Sequence, residues 1–193
     1  MNAQNIATDL LNNGYMPVPV EAGQKAIRIK GWESKPFTAD DFTGDKSVGI
    51  RCGDGGLAFM DIDVYDAKIA AEIAAEWTRR FPSDQWLQRT GMEPKTGFLF
   101  RLPEPLKKIK VHIAKTGAEP GNKKSGLEML GEGQQFVAFG IHPDTGKPYR
   151  WHGENPTGIF CAMDDLPVVT EEQVREFMTW ATDTYGTDDS SKT

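Results

Sequence analysis

Long apolar runs are missing from this chain, as is the basic flank with an apolar core that marks an exported protein. The pattern therefore predicts neither membrane insertion nor secretion, and a cytoplasmic location. Cysteine is nearly absent: Cys52 and Cys161 stand far apart with no Cys-x-x-Cys spacing, which excludes a disulfide framework and a structural zinc site. There is no basic excess either. A net charge of -6 argues against coating nucleic acid by bulk electrostatics, but leaves room for a local basic channel beside acidic residues. Internal repeats and a convincing interdomain linker are lacking, so 193 residues read as one medium domain able to bury a real core.

What is present is a periodic chain of α+β type. Residues 3 to 13 carry Ala3, Ile6, Ala7, Leu10 and Leu11 at helical spacing, closed by Asn12-Asn13-Gly14. Tyr15 to Val20 alternates, and its two prolines confine it to a sheet edge. Gly23 to Trp32 interleaves Lys25, Arg28 and Lys30 with apolar residues, either a patch for phosphates or a solvated strand face with one packed indole. Ser47 to Cys52 reads as a strand, and Gly53 to Gly56 as a turn into the next. Asp66 is placed to cap a helix with Ile69, Ala70, Ile73, Ala74 and Trp77 on one stripe. Trp86 to Thr90 and Gly97 to Leu102 are further strands, and the turn between them presents Lys95. Ser125 to Leu130 and Gln134 to Ile141 are apolar runs whose Gly131-Glu132-Gly133 link predicts a hairpin. A capped helix from Thr170 carries Val174, Phe177, Met178 and Ala181.

The chemistry-bearing stretch is Gly56 to Val64. As a strand it puts Ala58, Met60, Ile62 and Val64 on one face and Leu57, Phe59, Asp61 and Asp63 on the other. Two neighbouring carboxylates in a half-buried place repel each other and lose hydration unless cations lie between them. Mg²⁺ or Mn²⁺ suits such a pair, since both take a few hard oxygens and leave positions open to water and phosphate. Solvated acids at a strand end are the plainer reading of Asp-x-Asp in isolation. Glu128 sits mid-strand and needs a partner. From Pro103 to Gly126 the chain is rich in lysine, with Lys108, Lys110 and His112 alternating against Ile109, Val111 and Ile113. Gly117 to Gly126 reads as a mobile loop able to close over a polyanion.

Taken together, these blocks resemble the N-terminal primase/polymerase (prim-pol) domain of phage and plasmid replication proteins, in the archaeo-eukaryotic primase superfamily. The likeness covers roughly residues 5 to 155. It runs through the opening helix, Gly14 to Val20, Lys25 to Trp32, Val48 to Gly53, the Asp-x-Asp strand, Pro94-Lys95 before Phe98 to Arg101, Leu127 to Gln135, and Gly140-Ile141-His142-Pro143 through Trp151.

The resemblance implies a primase-like fold with an RRM-like central sheet, mixed or antiparallel, flanked by helices, and a small additional αβ unit. It implies a catalytic domain over 1–170, a helix over 171–186 that packs on it or leads to a further region, and a disordered tail over 187–193. The implied activity is DNA-dependent priming and polymerisation, a nucleotidyl transfer using Mg²⁺ or Mn²⁺ held by Asp61, Asp63 and Glu128. The family's second motif carries a histidine that contacts the triphosphate. Here the corresponding turn is Lys95-Thr96-Gly97-Phe98, so Lys95 and Arg101 are the candidates for phosphate binding, with His142 a third. Lys107, Lys108, Lys110, Lys123 and Lys124 are candidates for the nucleic-acid groove. Implied partners are nucleoside triphosphates, a single-stranded or primed DNA template, and a replicative helicase region in the same or another chain, with no membrane. Two other readings remain open: a non-catalytic module of the same fold that binds nucleotide or DNA, and a metal-dependent nuclease using the same acids.

Overall fold

The computed structural model of the chain describes residues 2–84, 86–153 and 161–188. Its first helix, α1 (Ala3–Asn12), starts where the Asn2 side chain accepts the Asn5 N–H at 3.2 Å, and buries Ala3, Ala7 and Leu10. Strand β1 (Pro17–Glu21) lies at the edge of a three-stranded antiparallel sheet, where its two prolines cost no ladder bonds, beside β2 (Lys46–Arg51) and then β8 (Gln135–Phe139). The remaining strands are β3 (Leu57–Asp63), β4 (Leu87–Thr90), β5 (Thr96–Arg101), β6 (Ile109–His112), β7 (Gly126–Leu130) and β9 (Arg150–Trp151). They form a six-stranded antiparallel sheet in the order β6-β7-β3-β5-β4-β9. Two sheets and helices segregated in this way make an α+β fold.

Period-two alternation along β3 feeds two separate cores. Met60 and Ile62, with Phe98, Phe100, Leu127 and Met129, face the helices α2 (Ala67–Arg80) and α3 (Glu171–Tyr185), centred on the buried Trp77 and Phe177. Leu57 and Phe59 face the small sheet and α1, with the Phe59 and Phe136 rings stacked 4.2 Å apart. Past Phe59 that second face has no apolar partner left, and the sheet opens into a cleft. Among the described residues no helix is long and apolar enough to cross a membrane.

Three sequence expectations need correction. The runs around Gly131-Glu132-Gly133 do not form a hairpin: β7 belongs to the large sheet and β8 to the small one. A Cβ on Gly131 would stand 1.9 Å from the Leu106 carbonyl oxygen, which accepts the Glu132 N–H at 2.7 Å, so this glycine permits a backbone crossing. The Gly117–Gly126 loop is anchored internally. Glu119 accepts hydrogen bonds from the Thr116 and Gly117 amides and the Thr116 and Ser125 hydroxyls. Burial works to raise its carboxyl, yet these donors hold it at about 2. The basic segment Gly23 to Trp32 contains no strand; Arg51 pins its end by donating to the carbonyls of Trp32 and Lys35. Of the tail expected to be disordered, residues 189–193 lie outside the described residues.

Candidate active site

Strand register assembles the site. Asp61 on β3 stands opposite Glu128 on β7 and, on its other side, opposite Gly97 on β5. Glu128 in turn faces Lys110 on β6, and Gly97 faces Arg89 on β4. Directly opposed residues of antiparallel strands point to the same face, so Lys110, Glu128, Asp61, Gly97 and Arg89 form one row across the sheet. Asp63 is on that same face, one step nearer the strand end. Two acids are thus bracketed by two cations, with a glycine gap before the arginine.

Each outer acid has a lysine of its own. Lys95 Nζ lies 2.7 Å from Asp63 Oδ1 and 3.9 Å from the Tyr65 ring centroid. Lys110 Nζ lies 3.0 Å, and Lys108 Nζ 3.6 Å, from Glu128 Oε1. Asp61, between them, has no such partner among the described residues. Burial raises its carboxyl to about 6, with Asp63 and Glu128 pushing the same way against the attraction of Arg89 and Lys95. With the side chains so paired, no three His, Cys, Asp or Glu groups of the described residues are close enough to hold a metal ion. The donor types nevertheless fit a hard divalent cation: three carboxylates from adjacent strands share a face, and the middle one has no ion pair among the described residues. Holding an ion in common requires the lysines on Asp63 and Glu128 to give way.

These residues line a cleft of about 790 Å³ between the two sheets. Lys110, Lys123 and Lys124 border it on the β6 side, and Lys25, Arg89 and His142 on the β4 side. Lys107 and Lys108 are not among the lining residues, and Lys107 is exposed. Lys124 also pairs with Asp188 at 3.6 Å. His142 is 4% exposed, its Nδ1 accepting the Asp144 N–H at 3.1 Å. Burial lowers its pKa, as do the charges of Lys25, Arg89 and Lys95, against Asp144.

Arg101 is not brought to the acids. It faces Leu57 at the far end of β5, donates to the Asp164 carbonyl at 2.8 Å and lies 3.7 Å from the Asp164 carboxylate. Lys95, the other sequence candidate for phosphate, reaches the cleft but is engaged with Asp63. Sequence reasoning missed Arg89. The strand carrying it was legible, but an arginine in a short strand reads as an exposed edge residue; only register reveals that it lies across from Gly97. His112 lines the cleft with a buried Nδ1, and His152 shares a 2.7 Å hydrogen bond with the Thr90 hydroxyl.

An acidic row between cationic walls lies in a cleft of an α+β fold, an arrangement whose positive flanks suit anionic ligands. The chain belongs to the Prim-Pol family: the model of the bifunctional DNA primase/polymerase N-terminal domain matches residues 7–168. Compared one by one with curated proteins, it matches none.

Proposed function

We propose that this chain is a DNA primase/polymerase domain that transfers nucleotides from (d)NTPs to a 3'-hydroxyl, with Asp61, Asp63 and Glu128 as its catalytic acids. The observation that carries the reading is the register pairing of Asp61 with Glu128, with Asp63 on the same face at the cleft. These three carboxylates would hold Mg²⁺ or Mn²⁺, which when bound supply a lowered hydroxyl pKa and charge neutralisation at the leaving pyrophosphate. Family membership supports the activity class.

The chain's own side chains account for the rest. Lys95 and Lys110 neutralise the outer acids when no cation is bound; displaced by one, their ammonium groups would be free to meet phosphate oxygens. The Lys110, Lys123 and Lys124 wall offers a sequence-independent track for single-stranded or primed DNA. Phe59, packed under Gly97, excludes water from the floor beside Asp61.

Incubation with a primed template, Mn²⁺ and labelled nucleotides is expected to give extension that Asp61→Ala abolishes without unfolding the chain. Extension that survives this change refutes the assignment of the acids. The lysine pairing of Asp63 and Glu128 favours one second reading, a nucleotide-binding or DNA-binding module without catalysis. It predicts template or nucleotide binding with no extension, whereas loss of an end label without extension marks a nuclease.

A further inference from the structure

Arg89 carries a partly buried charge that Asp61 attracts across the Gly97 gap but that has no ion pair among the described residues. Its guanidinium lies over three rings, 5.0 Å from the Phe59 centroid, 5.5 Å from Phe136 and 4.8 Å from Tyr149. Nη1 donates to the Val137 carbonyl on β8, which ties the large sheet to the small one. Nε is buried with no acceptor, and no carboxylate of the described residues forms an ion pair with the group. Ring faces and the attraction of Asp61 offset part of the cost of taking a guanidinium out of water, but no carboxylate sits on the fork itself. Arg89 lines the cleft, and a planar guanidinium fork matches two oxygens of a phosphate.

Two more donors border the same end of the cleft. Because His142 Nδ1 accepts an amide hydrogen, the proton of the neutral ring sits on Nε2, which has no partner among the described residues. Lys25 is half exposed and only loosely matched, with Nζ 3.8 Å from Asp144. Local backbone geometry fixes this corner: a Cβ on Gly91 would come within 2.7 Å of the Tyr149 ring and 3.0 Å of His142 Cδ2. The charged groups around this corner are therefore Arg89, Lys25 and Lys95, against Asp144 and Asp61, with His142 the titratable group among them.

We propose that Arg89, His142 and Lys25 form a seat for the polyphosphate tail of a nucleoside triphosphate, on the opposite wall from the lysines of β6, with the Arg89 guanidinium as its floor. Only the identity of the anion rests on the nucleotidyl-transfer reading. Gly97 is part of the design, since a side chain there would enter the space between Arg89 and Asp61.

The test is calorimetric titration of the full chain with inorganic tripolyphosphate in chelator-containing, metal-free buffer. Wild type is expected to show saturable one-site binding, weakened about tenfold or more by Arg89→Lys, and about three- to fivefold by Lys25→Gln. Lys68→Gln, on the exposed face of α2, is expected to leave binding within about twofold. If Arg89→Lys does not fold, Lys25→Gln and His142→Gln carry the test. Absence of saturable binding to wild type, or wild-type affinity in the folded variants, overturns the proposal. Tripolyphosphate binding as expected without template extension would sustain the seat and refute the polymerase reading. Extension with an unaltered nucleotide KM in folded Arg89 and Lys25 variants would do the reverse.

Discussion

Replacing Asp61 by asparagine is expected to make the metal-free protein more stable while removing its activity. The Asp61 carboxyl is raised from 3.8 to about 6, chiefly by burial, so ionising it in the fold costs about 3 kcal/mol more than in the unfolded chain. The sign follows from linkage: the native state holds this proton more tightly, so stability is full below about pH 4, declines as pH rises toward 6, and stays reduced above it. Asparagine imitates the protonated acid and escapes that decline. Side-chain relaxation and water entry reduce the gain to about 1–3 kcal/mol at pH 8, or about 3–10 °C in Tm for a chain of this size. Thermal unfolding followed by circular dichroism at pH 4, 6 and 8 tests this. The difference should be close to zero at pH 4 and grow through pH 6. Mn²⁺ should then raise the Tm of wild type at pH 8 more than that of the variant. A variant less stable than wild type at pH 8, or a gain that does not change with pH, would refute the account of Asp61 as an acid held ionised against its surroundings.

Three further outcomes are expected. Gly97→Ala puts a Cβ within 2.3 Å of the Phe59 ring and 2.9 Å of the Met60 carbonyl, and should cost about 1–3 kcal/mol in denaturant unfolding as well as impairing the neighbouring acids. Glu119→Gln removes a carboxylate held at about 2 by four donor groups, and should lower stability by about 1–2 kcal/mol at pH 7. Because that carboxyl is depressed, the deficit should shrink as pH falls from about 4.5 toward 2, which a pH series of melting curves would read. Arg101→Gln should leave triphosphate affinity within about twofold in a titration, since this residue is occupied with Asp164 at the far end of β5.

What the sequence made legible follows the period of two. Asp61 and Asp63 were assignable to one face of β3 because an apolar strand with alternating neighbours has only two faces, and Glu128 was singled out by the same rule. Pairing is a different matter. Gly131-Glu132-Gly133 looks the same in sequence whether it closes a hairpin or lets one backbone cross beneath Leu106, and the carbonyl that decides the matter is remote in the chain. Arg101 was placed too near the acids, and Arg89 was missed, for a related reason. Local pattern puts Arg101 on the right strand, but register aligns Gly97 with Asp61 and carries Arg101 away to Leu57. Arg89 becomes informative only once Phe59, Phe136 and Tyr149, from separate segments, enclose it.

The two sheets are sewn together at one end. Where β2 leads into β3 and β7 leads into β8, the Cys52 N–H donates to the Gln134 carbonyl at 2.9 Å, and Gly53, at φ +103°, leaves only 3.0 Å between its would-be Cβ and the Glu132 backbone. Strand β3 runs outward from that stitch, through Leu57 and Phe59, to Asp61 and Asp63. The acids therefore stand at the end of β3 away from that crossing, where Asp61 and Asp63 line the cleft. The same crossing leads out of the strand that carries Glu128, so the junction of the sheets and the placing of that glutamate share one stretch of backbone.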